Sequence, residues 1–349
     1  MSARFPYVKI RKVFMKAVVL NGHGGADALV YDENFPDPEC GENDVIVRVK
    51  ATSLNYHDIF TRNGMPGIKI QMPMICGLDV AGEIAELGSR VSGWDIGDRV
   101  LIDPRNRVEG GLVGETIHGG LAEYCRVADH QLVKIPEGVS YDQASSLPVA
   151  YGTAHRMMVT IGKITESDKV LILGASGGVG TGALLLAKMA GAEVVVCASS
   201  EEKMAKLKEL GADHAMTYMD NQFHKGVYEL YGKPGRRGFE GGVNMVVNFT
   251  GGETWVPSLR ALKRGGRLVT CGATAGFDPK TDIRFIWTFE LQLLGSNSWE
   301  REDLTQLMDY IQTGKMEPVI DKTLPLKEAT EGIRLIEDRE VFGKVIINP

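Results

Sequence analysis

In the first third of the chain, short runs rich in Val and Ile alternate with turn residues. Residues 16–20, 44–51, 79–87 and 99–102 each read as a strand. Gly-Gly, Pro-Asp, Gly-Glu and Gly-Asp steps separate them, and the pattern predicts an all-β barrel or roll. A helical segment follows over 141–147, is interrupted at Pro148 and continues over 150–161 to Gly162. From Lys169 strands alternate with helices. Strands are expected at 170–174, 193–198, 214–217, 245–248, 267–271 and 291–294, with helices at 181–190, 201–210 and 255–262. That alternation implies βαβ units and a parallel sheet. Helices at 301–311 and 326–337 and a strand at 344–347 close the chain.

Composition narrows the class. At roughly 100–200 residues per domain, 349 residues suggest two domains. With 44% hydrophobic and 24% charged residues, the bulk of the chain is neither disordered nor coiled coil. The net charge of −6 argues against a nucleic-acid partner. The best apolar run, 183–198, is broken by Lys188 and Glu193, so no membrane span is expected. The five cysteines are widely spaced with no Cys-x-x-Cys pair, which reads as reduced thiols of a cytoplasmic protein. Residues 1–14 carry Arg4, Lys9, Arg11 and Lys12, hold too little apolar sequence for a secretory signal, and read as a loose extension.

The sharpest chemical signal is Val170-Leu-Ile-Leu-Gly-Ala-Ser-Gly-Gly-Val-Gly180, a strand, a turn and a helix start. Ser176, Gly177, Gly178, Val179 and Gly180 shape a turn whose backbone approaches a pyrophosphate at the positive end of the helix. The alternative is a tight turn without ligand. The flanking strands and helix at the expected spacing favour a dinucleotide. The second strand ends in Ala198-Ser199-Ser200 rather than an acid. Ser199, Ser200 and nearby Lys203 suit the 2′-phosphate of NADPH. A helix N-cap at Ser199 or Ser200 is the competing reading, and both roles are compatible.

The order of elements, together with Ser53-Leu-Asn-Tyr-His-Asp58, Gly77-Leu-Asp-Val-Ala-Gly-Glu83, Gly97-Asp-Arg-Val100, Gly119-Gly-Leu-Ala-Glu-Tyr124, Leu210-Gly-Ala-Asp213, Val269-Thr-Cys-Gly-Ala-Thr274 and Gly343-Lys-Val345, resembles the medium-chain dehydrogenase/reductase superfamily. The resemblance implies an α/β chain. It has a GroES-like β-barrel catalytic domain over 1–147 and 298–349, and a Rossmann domain, a doubly wound parallel sheet, over 148–297. Zinc members of the family carry ligands where this chain has Asn55, Leu78 and Val149, and their cysteine lobe is missing from 103–119. The chain therefore resembles the zinc-free branch of quinone oxidoreductases, zeta-crystallin and enoyl reductases, with no metal expected.

Without a Lewis acid, reduction of a quinone or of an alkene conjugated with a carbonyl is easier than alcohol oxidation. The expected function is an NADPH-dependent reductase of such small molecules. An alcohol or carbonyl dehydrogenase and a non-catalytic NADPH-binding protein remain alternatives. Tyr56 or His57 is the candidate proton donor. By resemblance Asn55 and Thr153 lie at the nicotinamide end, Tyr218 flanks the adenosine, and Gly272, Ala273, Thr274 and Lys344 border the cofactor. Met65, Met72, Met74, Phe285 and Trp287 are candidates for an apolar rim. A homodimer or homotetramer is expected, paired through the sheet edge at 291–296.

Overall fold

The computed structural model describes residues 14–349. The expected loose extension lies outside them except at its last residue: Phe14 already opens the first strand, Phe14–Leu20.

A seven-stranded sheet is built around Asp44–Ser53. Asp79–Leu87, Arg99–Ile102 and Leu132–Lys134 follow it in antiparallel order. On its other side lie Lys344–Asn348 and then Ile320–Pro325, so the end of the chain completes the sheet that its first third begins. Tyr124–Ala128 also pairs with the central strand. Side chains alternate along these strands. Val45, Val47, Val80, Val100 and Ile102 fill one apolar cluster, while Ala81, Leu101 and Val133 face a second one. Both faces are covered, which explains the unbroken Val-Leu-Ile of 100–102. A smaller sheet joins Leu29–Pro36, Phe14–Leu20 and Met74–Ile75.

The second large sheet is parallel throughout. Its strands are Lys169–Ile172, Glu193–Ala198, His214–Thr217, Val243–Val247, Leu262–Thr270 and Gln292–Gly295. Counted in chain order they lie 3-2-1-4-5-6. Val170, Val194 and Met245 pack on one face with Ala183, Leu184 and Leu207 from the helices Gly178–Met189 and Glu201–Glu209. Leu171, Val195 and Val246 pack on the other with Phe223, Val227 and Leu259 from Phe223–Tyr231 and Trp255–Ala261. This doubly wound order leaves a crevice beyond the strand ends where the order reverses, beside Lys169–Ile172. Gln292–Gly295 is an open edge, with Leu293 38% exposed.

Pro148 does not break the helical segment. The chain turns through Tyr141–Ser145 and then widens into π-helical geometry over Leu147–Gly152, with Pro148 in the first π turn. The wider turn accommodates a residue without an N–H. The next N–H, that of Val149, leaves the helix and donates to Asp79 Oδ1 at 2.9 Å.

Candidate active site

The helix Tyr56–Asn63 follows directly on the central barrel strand. Asp58 fixes its start. Its carboxylate accepts the N–H of Asn55 at 2.8 Å and of Gly77 at 3.0 Å. Burial pushes the Asp58 carboxyl up to about 6, against those two donors and neighbouring His57. The pattern Asn-x-x-Asp is half of a capping box and is the signal by which this helix is recognisable. The helix presents Tyr56 and His57. Tyr56 packs edge-on against Phe60 with ring centroids 5.2 Å apart. His57 Nε2 lies 2.7 Å from Glu115 Oε2.

Beneath these residues lies a buried polar knot. Asp79 Oδ2 accepts Ser53 Oγ at 2.9 Å and Asn55 Nδ2 at 2.8 Å. Lys344 Nζ donates to Asn55 Oδ1 at 2.6 Å and to the Leu54 carbonyl at 2.9 Å, and stands 3.5 Å from Asp79 Oδ2. Burial drives the Lys344 ammonium down and the Asp79 carboxyl up, and each partner opposes the shift of the other. Asn55, Leu78 and Val149, the positions of the zinc ligands in the resembled family, thus offer an engaged amide and two apolar side chains. Among the described residues no three His, Cys, Asp or Glu side chains gather as a metal-ligand group. His118 Nδ1 accepts the Ile75 N–H at 3.1 Å, as a loop residue.

Asn55, Tyr56, His57, Ser176, Gly177, Gly178, Val179, Ser199, Lys203, Tyr218, Thr274 and Lys344 line one cavity of about 270 Å³. The turn fits a dinucleotide. A Cβ on Gly180 would sit 2.4 Å from the Gly174 carbonyl oxygen and 2.5 Å from Ala175 Cα, so only glycine lets this helix start lie against the strand. The first N–H groups of Gly178–Met189 have no acceptors within the helix, and Ser176 to Val179 at this helix start line the cavity.

Five expected cofactor residues are not part of this lining: Thr153, Gly180, Ser200, Gly272 and Ala273. Thr153 is buried in the helical segment, and Gly180 packs beneath the turn. Ser200 Oγ accepts the Lys203 N–H at 3.3 Å as a helix N-cap. Gly272 accepts Thr270 Oγ1 through its carbonyl, and Ala273 follows it. The expected apolar rim also lies elsewhere. Phe285 sits under Arg260 in a separate cavity, because its short helix packs beside Trp255–Ala261. Met72 and Met74 line another cavity with Met15 and Phe35, where Met74–Ile75 pairs with the first strand. Trp287 is 68% exposed, and Met65 is not in the lining.

Sequence reasoning missed Phe249, Thr250, Arg339 and Glu115. The first three line the cavity. Arg339 has a φ of 60°, and its carbonyl accepts Lys203 Nζ at 2.6 Å. It arrives from a loop far along the chain, with no local motif to announce it.

Comparison with known proteins agrees with this architecture. Residues 41–137 match the alcohol dehydrogenase GroES-like domain and residues 178–313 the zinc-binding dehydrogenase family. The chain is 31% identical to the acryloyl-coenzyme A reductase of Sulfurisphaera tokodaii, across 96% of this chain and 100% of that one. It is 30% identical to the chloroplastic NADPH-dependent alkenal/one oxidoreductase of Arabidopsis thaliana, across 96% of this chain and 80% of that one. A solved NAD-dependent alcohol dehydrogenase superposes with a TM-score of 0.87 at 33% identity, covering 96% of this chain and 100% of that one. With barrel, doubly wound sheet and glycine turn all in place, the chain belongs to the medium-chain dehydrogenase/reductase superfamily.

Proposed function

We propose that the chain is an NADPH-dependent, zinc-independent reductase of carbon–carbon double bonds conjugated with a carbonyl, quinones included. The observation that carries this reading is one cavity shared by the glycine turn, Asn55 and His57, with Asn55, Leu78 and Val149 where a zinc site would need ligands. The alkenal/one oxidoreductase and acryloyl-coenzyme A reductase relatives support the substrate class. Among the described residues we assign 148–297 to the cofactor domain and 14–147 with 298–349 to the catalytic domain.

Bound NADPH supplies a hydride. The protein supplies position and a proton. Asn55, held on both amide atoms by Asp79 and Lys344, forms a rigid wall at the reacting end. His57 Nε2 faces Glu115, which leaves Nδ1 for the substrate oxygen. Ser199, Lys203 and Arg339 gather hydroxyl and cationic groups at the far end, suited to a 2′-phosphate.

NADPH oxidation by the purified protein, screened over quinones, 2-alkenals and enoyl thioesters, tests the proposal. Turnover of at least one class is expected, unchanged after dialysis against a chelator. Fast alcohol oxidation with no turnover of any activated alkene or quinone would replace it with the alcohol dehydrogenase reading, which the NAD-dependent relative keeps in view.

For the open edge strand Gln292–Gly295 we propose a second copy of the chain as partner, since an exposed edge with Leu293 templates pairing. Sedimentation at micromolar concentration should give a dimer or tetramer. A monomer there rules the pairing out.

A further inference from the structure

We propose that Glu115 is a positioning residue that holds the ring of His57 in place for delivery of a proton to the substrate. This rests on the reductase reading of the same cavity. Glu115 lies on the loop between Arg99–Ile102 and Tyr124–Ala128, while His57 is on the helix Tyr56–Asn63. The two side chains meet at 2.7 Å with 9% of Glu115 and 28% of His57 exposed. A carboxylate this buried, hydrogen-bonded to an imidazole that also lines the cavity, is an arrangement that fixes ring and tautomer together.

The loop that brings Glu115 is held against the same backbone that anchors the helix. Gly114 has a φ of 80°, and a Cβ there would lie 2.8 Å from the Gly77 carbonyl carbon. The Gly77 N–H in turn donates to Asp58 Oδ1 at 3.0 Å. Gly114 N–H donates to the Ile117 carbonyl at 2.7 Å, and Glu115 N–H to Leu112 at 3.1 Å. Helix and loop therefore share Gly77 as a common footing, and His57 and Glu115 cannot drift apart independently. The charged groups around the ring are Glu115 from the loop and Asp58 on its own helix, with Lys344 and Asp79 beneath Asn55.

Glu115 accepts Nε2–H, so the donor toward the substrate is Nδ1–H of the imidazolium. The electron pair comes from NADPH. The proton passes from His57 Nδ1 to the substrate oxygen: the N–H bond breaks, the O–H bond forms, and the imidazole is left neutral. Solvent returns the proton through the exposed part of the ring.

The test compares Glu115→Gln with the wild type, both loaded with NADPH. With His57 present Glu115→Gln should lower the rate, and in the His57→Gln background it should cost no further activity, because the ring it positions is gone. At neutral pH kcat should drop roughly tenfold, less than the 10²–10⁴ that a general acid itself carries, with the Kd for NADPH unchanged. Glu115→Asp should recover part of the kcat. An equal loss from Glu115→Gln with and without His57 overturns the proposal, even if kcat falls. A wild type that turns over no alkene or quinone rejects the reductase reading, and displaced His57 ring signals in the NMR spectrum of Glu115→Gln, assigned by their loss in His57→Gln, would then still retain the pairing.

Discussion

Lys344→Met is expected to lower the free energy of unfolding by about 3–5 kcal/mol, the usual consequence of removing one partner from a buried ion pair. Lys344 is 2% exposed and Asp79 fully buried. The ammonium is satisfied by Asn55 Oδ1, the Leu54 carbonyl and Asp79 Oδ2. Methionine fills the space but leaves Asp79 without a cation. Ser53, Asn55 and the Val149 N–H still donate to the carboxylate, which keeps the loss within that range. The penalty also has a pH signature. Burial already raises the folded pKa of Asp79 above its unfolded value, and loss of Lys344 raises it further. A raised carboxyl favours the folded state in acid, so the deficit of Lys344→Met should be small near pH 4 and grow toward neutrality. Adding Asp79→Asn should recover part of it by removing the orphaned charge. Urea unfolding of the two variants at both pH values reads this directly. A Lys344→Met protein within 1 kcal/mol of wild type at pH 7, on the scale of a surface substitution, would mean that the pair contributes little.

Lys203→Ala is expected to weaken NADPH at least several-fold and leave NADH nearly unchanged, and Arg339→Ala to do the same. A hydrogen bond to a charged group contributes about 1.5–3 kcal/mol, or roughly ten- to a hundredfold in affinity. Both side chains line the tip of the cavity beside Ser199. Burial pulls the Lys203 ammonium down, while Asp321 and Glu202 hold it up. One of its donors goes to the Arg339 carbonyl, which places the two residues side by side at this end of the cavity. Fluorescence titration with each cofactor checks this. Equal weakening of both cofactors would assign Lys203 to the general field. Outright preference for NADH would point to an acid on the ribose. Glu202 is paired with Lys206 at 2.7 Å, so Glu201 is the acid to test there.

The central parallel strands are legible in the sequence because burial on both faces turns them into short Val-rich runs, as in Val194-Val-Val196. Ile320–Pro325 is not, because it is a sheet edge written Ile-Asp-Lys-Thr-Leu-Pro, with polar residues on its open side. Pro148 reads as a break only while α-helical geometry is assumed. In the site, the glycine turn is local and shows itself. Arg339 and Glu115 depend on loops brought in from elsewhere. His57 stands out by type, but its partner lies 58 residues further on. The amide of Asn55 is engaged by a lysine 289 residues away. Such pairings follow from topology, not from spacing.

The central claim is that this cavity reduces the conjugated double bond rather than the carbonyl. The most direct measurement is the identity of the product from a 2-alkenal with NADPH, read by NMR. The account predicts the saturated aldehyde. The allylic alcohol, formed with the double bond intact, would contradict it.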